Sequence, residues 1–279
     1  MYTMSSNTGD PDVIFSHPPP STYTHYFNNS SCDATGGTYI NTYYVKITAE
    51  NPCGELFSDI QPITTGYAPI TEIDILPNDS VACINSTVSF TNSSISGIYV
   101  GTAPPYICNS DNPNEWEIFP NSGWNIVNGA FGNSSSNNSL AWGSPTLDLN
   151  FTSPGVYQMF LYVKNQCGYD TAMQTVCIVP DADASFGIDA TFGCIPLTIN
   201  TNNLSGSLSN CFPADYLWSV QQSFSSCGYP SVWNFTNGSS PIDLNPSFIF
   251  SNPGEYVVSL QATNKCNSNI YTDNIIIAA

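Results

Sequence analysis

The ten cysteines are the residues of this chain best suited to do chemistry, and that chemistry is disulfide formation. None of them lies in a CxxC pair, and zinc ribbons and thioredoxin-like sites both need closely paired thiols. Widely spaced, even-numbered cysteines in a loop-rich chain are typical of structural disulfides, which persist only in an oxidising compartment. The sequence therefore predicts an extracellular, cell-surface location.

Catalytic residues are scarce. The chain has two histidines, His17 and His25, and a histidine base is the usual partner of a serine or cysteine nucleophile. No nucleophile elbow, HExxH helix, P-loop or dinucleotide fingerprint occurs. The 21 acidic residues are scattered, so no pair stands out as the two carboxylates of a glycosidase. The chain is predicted not to be an enzyme and to require no cofactor.

The charge balance restricts the partners. Three lysines and no arginine face 21 acidic residues, which gives a net charge of -18. A cationic patch for nucleic acid or an anionic membrane surface therefore cannot be assembled. The longest apolar runs have the length of strands, so no membrane-inserted segment is predicted. Residues 1–10 do not resemble a signal peptide, so a longer parent chain is expected.

An internal repeat shows which elements must position the cysteines. Ser153–Gly168 and Asn252–Asn267 align without a gap, and Tyr43–Gly54 is a third copy. In each copy a tyrosine lies ten residues before a cysteine, and an asparagine lies two before it. Such self-similarity is typical of a tandem array of domains.

The repeated segments have the pattern of β-strands. Tyr256, Val258 and Leu260 alternate with more polar residues, as a half-buried strand requires, and a Pro-Gly turn precedes the strand in two of the three copies. Trp116 and Trp218 occupy equivalent positions and are predicted to pack in cores. We therefore predict all-β sandwiches: a truncated unit 1 (residues 1–67), unit 2 (68–179) and unit 3 (180–279).

The Pro-Gly-x-Tyr strand that leads into Asn-x-Cys-Gly resembles the polycystic-kidney-disease-type (PKD) Ig-like repeats. The cysteine-containing variety is similar to repeats in large secreted surface proteins of the Bacteroidota, including gliding-type adhesins. The WDFGDG-like turn of that family is missing, and Trp116 and Trp218 are all that remains of it. The resemblance implies tandem, disulfide-bonded PKD-like or Ig-like sandwiches with an adhesive role.

An Ig-like topology restricts the disulfides if each bridge stays within one unit. A cysteine before the second strand and one after the Pro-Gly-x-Tyr strand lie at opposite ends of a sandwich, too far apart to bond. The expected pairs are therefore Cys108–Cys167, Cys211–Cys266, Cys194–Cys227 and Cys83–Cys177, with Cys32 and Cys53 left unassigned. Bridges between units would contradict an array of independent domains.

Three weaker kinds of site remain as expectations. Oxygen-rich loops make Asp181, Asp183, Asp111 and Glu115 candidate ligands for a structural calcium ion. Trp124, Trp142 and Trp233 are not repeated and could stack on a glycan, and Ser80 and Thr171 lie in O-glycosylation-like triplets.

The predicted function is that of a non-catalytic fragment of a long secreted adhesin or extracellular filament. Its expected partners are surface glycans or other copies of the same protein. A carbohydrate-binding module and an accessory segment of a secreted hydrolase are the alternatives.

Overall fold

The computed structural model describes residues 2–6, 13–15, 18, 20–36, 38–58, 60–77, 80–206, 213–225 and 228–279. Across these ranges the chain forms β-strands, together with a 3-10 turn at Ser139–Ala141 that is capped by the side chain of Asn138. No helix in the described ranges is long and apolar enough to cross a membrane. We use unit 1, unit 2 and unit 3 for residues 1–67, 68–179 and 180–279.

Unit 1 contains one five-stranded sheet and a short hairpin. Its strands are β1 (Tyr2–Ser6), β2 (Val13–Phe15), β3 (Thr35–Gly36), β4 (Tyr39–Ile40), β5 (Tyr43–Asn51), β6 (Gly54–Phe57) and β7 (Gln61–Ile63). The sheet has the order β2-β1-β5-β6, with β7 also paired to β5, while β3 and β4 pair separately. The buried ring of Tyr43 stacks on Phe27 at a centroid distance of 5.1 Å.

Unit 2 is a sandwich of two four-stranded sheets. Its strands are β8 (Ile73–Leu76), β9 (Val81–Cys83), β10 (Thr87–Asn92), β11 (Tyr99–Val100), β12 (Cys108–Asn109), β13 (Asn114–Phe119), β14 (Trp124–Asn128), β15 (Thr146–Phe151), β16 (Gly155–Asn165) and β17 (Gly168–Val179). The sheets have the orders β14-β15-β10-β8 and β13-β16-β17-β9, and β11 pairs with β12 apart from them. Strand β9 runs parallel to β17, and the other pairs are antiparallel.

Unit 3 repeats this arrangement. Its strands are β18 (Phe186–Ile188), β19 (Phe192–Cys194), β20 (Leu197–Asn203), β21 (Asp215–Ser225), β22 (Trp233–Thr236), β23 (Ser247–Phe250), β24 (Gly254–Thr263) and β25 (Ser268–Ala278). The sheets have the orders β18-β20-β23-β22 and β19-β25-β24-β21, and β19 runs parallel to β25. This is the order of an Ig-like sandwich.

Strand alternation produces both cores. In β16 every second side chain from Tyr157 to Val163 is buried, and β24 has the same pattern from Tyr256 to Ala262. Alternate side chains of a strand point to opposite faces, so each sandwich buries one face of each sheet. The prediction of all-β, tandem, disulfide-bonded sandwiches is confirmed.

The repeated aromatic residues occupy matching positions. Trp116 and Trp218 are each 2% exposed, and their indole N–H groups donate to the carbonyls of Ser144 and Asp243 at 2.8 and 2.9 Å. Their predicted role in core packing is confirmed. Tyr157 and Tyr256 each donate from the hydroxyl to a carbonyl four residues earlier, at 3.0 and 2.9 Å.

Candidate functional site: the stapled joints between units

Both disulfides whose two cysteines lie in the described ranges cross from one unit to the next. Cys32 of unit 1 bonds to Cys108 of unit 2, with the Cα atoms 5.8 Å apart. Cys83 of unit 2 bonds to Cys266 of unit 3, with the Cα atoms 5.5 Å apart. Each joint of the array is therefore a covalent cross-link as well as a stretch of chain.

The joint between units 2 and 3 is formed by a hairpin turn and a strand end. Cys266 lies in the turn between β24 and β25, where its N–H donates to the side chain of Asn264 at 2.8 Å. Cys83 ends β9 opposite Val179, the last residue of β17. The turn of unit 3 thus sits on the end of unit 2, and the disulfide ties them.

Polar side chains of the same turn hold the linker. The Asn264 amide donates to the carbonyl of Pro180 at 2.8 Å, and the Asn267 side chain accepts from the N–H of Ala182 at 2.5 Å. The Lys265 ammonium donates to the carbonyl of Val81 at 2.9 Å. Pro180 and the buried Ala182 of the linker are therefore hydrogen-bonded to this turn.

The joint between units 1 and 2 uses the equivalent turn of unit 2. Asn165 donates to the carbonyl of Tyr67 at 2.9 Å, as Asn264 does to Pro180. Tyr67 and Ile98 also exchange two backbone hydrogen bonds, at 2.8 and 3.1 Å. The segment that leads into unit 2 is therefore hydrogen-bonded to unit 2 through the backbone of Tyr67.

The two joints of unit 2 lie at opposite ends of its long strands. The turn that contacts unit 1 is at the Asn165 end of β16, and β9 and the end of β17 contact unit 3. Strand β16 has 11 residues, which spans about 35 Å at the usual rise of a strand. The units are consequently stacked end to end.

The predicted disulfide pairs were wrong. Cys108 bonds to Cys32 and not to Cys167, Cys266 bonds to Cys83 and not to Cys211, and Cys177 is disulfide-bonded but not to Cys83. Cys194 is a free thiol, so it does not bond to Cys227. Cys211 and Cys227 themselves lie outside the described residues. The physical reason is the end-to-end stacking, which places the hairpin turn of one unit against the preceding unit.

The expectation of an array of independent domains was also wrong, because both described disulfides join neighbouring units. The sandwiches have separate cores, but the disulfides and the contacts of Lys265 with Val81 and of Asn165 with Tyr67 fasten neighbouring units to one another. The Asn-x-Cys turn that recurs three times was the available sequence signal. Its role at a joint depends on how the units stack, and spacing along the chain does not encode that.

Three free cysteines are exposed among the described residues: Cys53, Cys167 and Cys194. Cys167 lies in the joint between units 1 and 2, where its thiol donates to the carbonyl of Ile98 at 3.7 Å. Partial burial in that joint raises the pKa of the Cys167 thiol. Cys53 and Cys194 lie away from the two joints.

No family model and no curated protein matches the sequence of this chain, and the solved structures that it is similar to include tandem Ig-like domains. A three-Ig fragment of titin, I67–I69 in an E-to-A variant, has 10% identity and a TM-score of 0.44, covering 100% of this chain and 88% of that one. The Escherichia coli adhesin FdeC has 8% identity and a TM-score of 0.43, covering 85% and 74%. The D00-D0 domains of intimin have 12% identity and a TM-score of 0.35, covering 75% and 100%. Because these scores lie below 0.5, the assignment of the fold rests on the strand order and register of the chain itself.

The three unrepeated tryptophans differ in their surroundings. Trp124 and Trp233 are half-buried against the two cores, with Phe131 at 5.2 Å and Phe235 at 5.5 Å between ring centroids. Trp142 lines an open groove of about 320 Å³ on unit 2, together with Tyr99, Asp111, Lys164 and Gln166. Trp142 is thus placed beside a recess large enough for a small ligand.

The calcium candidates are not brought together. No group of three or more His, Cys, Asp or Glu side chains suited to a metal ion occurs in the described part of the chain. The Glu115 carboxylate accepts from the N–H and hydroxyl of Ser134 at 3.3 and 3.1 Å, and Asp111, Asp181 and Asp183 are exposed. Calcium binding at these residues stays a prediction.

The remaining candidates lie on the surface. Ser80 and Thr171 are exposed, and their glycosylation stays a prediction. His25 is half-buried, with its ring edge-on to Phe27 at 4.7 Å, and His17 lies outside the described residues.

Proposed function

We propose that this chain is a non-catalytic segment of a long secreted surface adhesin or extracellular filament. In this role its β-sandwiches provide reach, and the cross-linked joints provide mechanical stability. The observation that carries the proposal is the placement of both described disulfides across joints, between Cys32 and Cys108 and between Cys83 and Cys266. The more specific version of the proposal is a gliding-type adhesin of the Bacteroidota, and it rests on the Asn-x-Cys-Gly resemblance.

Three properties support an extracellular, force-transmitting role. Disulfides persist in oxidising compartments, so the bridges favour secretion. The hydrogen bonds from the Asn-x-Cys turns to the linkers hold neighbouring units in one orientation, which an extended stalk needs. The net charge of -18 keeps such an array soluble while opposing contact with anionic surfaces.

Pulling the chain by its two ends tests the mechanical role. With both bridges intact, the shortest covalent path runs through residues 1–32, 83–108 and 266–279, about 70 residues in all. At roughly 3.5 Å per residue this path extends to about 250 Å, whereas the reduced chain extends to about 1,000 Å.

Single-molecule force spectroscopy with handles fused to the two ends measures these lengths before and after reduction. We expect the total extension to increase about fourfold on reduction, and Cys83→Ser with Cys266→Ser to recover part of that increase. An extension that is the same in both redox states would contradict the mechanical proposal.

A carbohydrate-binding role is the second candidate, and the groove beside Trp142 favours it. An indole next to polar side chains is the kind of surface on which a sugar ring stacks. A glycan array probed with the whole chain and with Trp142→Ala tests it. Binding that Trp142→Ala abolishes and Trp124→Phe preserves would support a ligand at this groove, and no binding would leave the groove without that role.

A further inference from the structure

Cys194 of unit 3 occupies the position that Cys83 occupies in unit 2. Each cysteine ends a short strand that runs parallel to the last strand of its sandwich, with Cys83 opposite Val179 and Cys194 opposite Ala278. In both units the N–H of the next residue donates to the carbonyl of that opposite residue, at 2.9 and 3.1 Å. Cys83 is bonded to a hairpin turn from the following unit, whereas Cys194 is an exposed free thiol.

Cys53 of unit 1 occupies the position that Cys266 occupies in unit 3. Each is the third residue of an Asn-x-Cys turn, and each donates its N–H to the side-chain oxygen of that asparagine, Asn51 or Asn264, at 2.8 Å. The turn of Cys266 is docked on the preceding unit, and Cys53 is an exposed free thiol. The two free cysteines are thus the counterparts of the two cysteines that join units 2 and 3: Cys194 corresponds to Cys83, and Cys53 corresponds to Cys266.

These two cysteines lie at opposite ends of the stack formed by units 1, 2 and 3. Cys194 is at the end of unit 3 opposite its Cys266 turn, because β24 and β25 run the length of the sandwich between them. Cys53 is at the Asn51 end of β5, while the Tyr43 end of that strand pairs with β7, which leads into unit 2. Two thiols placed in this way cannot meet within one copy and can meet between copies stacked head to tail.

We propose that Cys194 of one copy forms a disulfide with Cys53 of the next copy, so that the chain assembles into a covalent head-to-tail filament. The new joint would repeat the joint between units 2 and 3, with the Cys53 turn seated on the strand end formed by Cys194 and Ala278. Pro52 takes the place that Lys265 has between units 2 and 3, so the ammonium bond to the Val81 carbonyl has no counterpart in the new joint. The disulfide and the backbone of the turn therefore carry the contact.

The chemistry is thiol–disulfide exchange with a small disulfide such as oxidised glutathione. The Cys194 thiolate attacks oxidised glutathione, forming a mixed disulfide and releasing one glutathione thiol. The Cys53 thiolate of the next copy then attacks the Sγ of Cys194 and expels the second glutathione. Two protein thiols are oxidised and one glutathione disulfide is reduced to two thiols, so electrons and protons balance.

This inference deepens the proposed function, because it needs the same oxidising compartment, and it has a readout of its own. The purified full chain is incubated in a glutathione redox buffer, separated on non-reducing gels, and mapped by mass spectrometry of its disulfide-linked peptides. We expect a ladder of multimers that collapses on reduction and contains the Cys53–Cys194 linkage. Cys167→Ser, at the third exposed thiol, should leave the ladder unchanged.

Two variants give the decisive comparison. Cys53→Ser alone and Cys194→Ser alone should each remain monomeric, and their equimolar mixture should stop at dimers, since each copy then keeps one of the two cysteines. Cys53–Cys53 or Cys194–Cys194 dimers, a ladder that survives in either variant, or a wild-type chain that stays monomeric across the redox range would each overturn the proposal. Failure of the ladder with an unchanged force response would overturn this inference and leave the proposed function standing.

Discussion

Cys83 and Cys266 are 183 residues apart in the chain, and their Cα atoms lie 5.5 Å apart across the joint between units 2 and 3. The contact depends on the hairpin turn of unit 3 reaching the end of β9 in unit 2. This single bond therefore couples the folding of one sandwich to the position of its neighbour.

Removing the bridge should lower stability strongly. For Cys83→Ser combined with Cys266→Ser we expect a loss of up to about 5 kcal/mol, because the open chain regains the entropy that a loop of this length removes. Guanidinium unfolding followed by tryptophan fluorescence measures the loss. The matched control is Cys194→Ser, which removes an exposed free thiol and should change the unfolding free energy by less than about 0.5 kcal/mol.

The two repeated tyrosines should respond alike to loss of the hydroxyl. Tyr157→Phe and Tyr256→Phe each delete a hydrogen bond to a carbonyl four residues earlier, so each should cost about 1 kcal/mol of unfolding free energy. Tyr169→Phe, at a ring that is 81% exposed, serves as the control and should be neutral. Unequal losses at Tyr157 and Tyr256 would argue against equivalent roles.

Asn264→Ala should loosen the joint without unfolding unit 3. The substitution removes the bond to the Pro180 carbonyl and the acceptor for the Cys266 N–H, while the disulfide remains. Hydrogen exchange should become faster at Ala182 and Ala184, linker residues whose N–H groups donate to the side chains of Asn267 and Asn269. Unchanged exchange at these two amides would show that the asparagine does not hold the linker.

Asp170 should make unit 2 sensitive to acid. Its carboxylate accepts the N–H of Thr71 at 2.8 Å, and the hydrogen bonds from Thr71 and Thr171 hold its pKa below the ordinary value of 3.8. Since the pKa is lowered in the folded state, the carboxylate stabilises the fold above pH 3.8, and this contribution is lost as the pH falls through the lowered pKa.

Asp170→Asn keeps an acceptor for Thr71 and removes the titration. Denaturant unfolding at pH 7 and pH 2 should show the wild type more stable than Asp170→Asn at pH 7, with a smaller difference at pH 2. A difference that does not change between these two pH values would contradict the assignment.

The periodic parts of this chain could be predicted from its sequence. Alternation of apolar and polar residues indicates the strand β24, and the repeated spacing of tyrosine, asparagine and cysteine indicates the turn that follows it. Burial of one face determines the strand, and local hydrogen bonds such as that from the Cys266 N–H to Asn264 determine the turn. The buried Trp116 and Trp218 followed from the same repetition.

The joints could not be predicted in the same way. The partner of Cys266 depends on which surface of unit 2 the turn meets, and that is decided by contacts across the joint, such as the bond from Lys265 to the Val81 carbonyl. Pairing each cysteine within its own unit suits isolated domains. It failed here because the disulfides Cys32–Cys108 and Cys83–Cys266 join the ends of neighbouring units.

The two bridges also overlap along the chain, and this determines how the molecule responds to a protease. The loop closed by Cys32 and Cys108 and the loop closed by Cys83 and Cys266 share residues 83–108, so every peptide bond from Cys32 to Cys266 lies inside at least one loop. Hydrolysis of any single bond in that range leaves the two fragments attached to each other. A surface exposed to digestive enzymes could thus be nicked within any one of its loops and still hold together as one molecule.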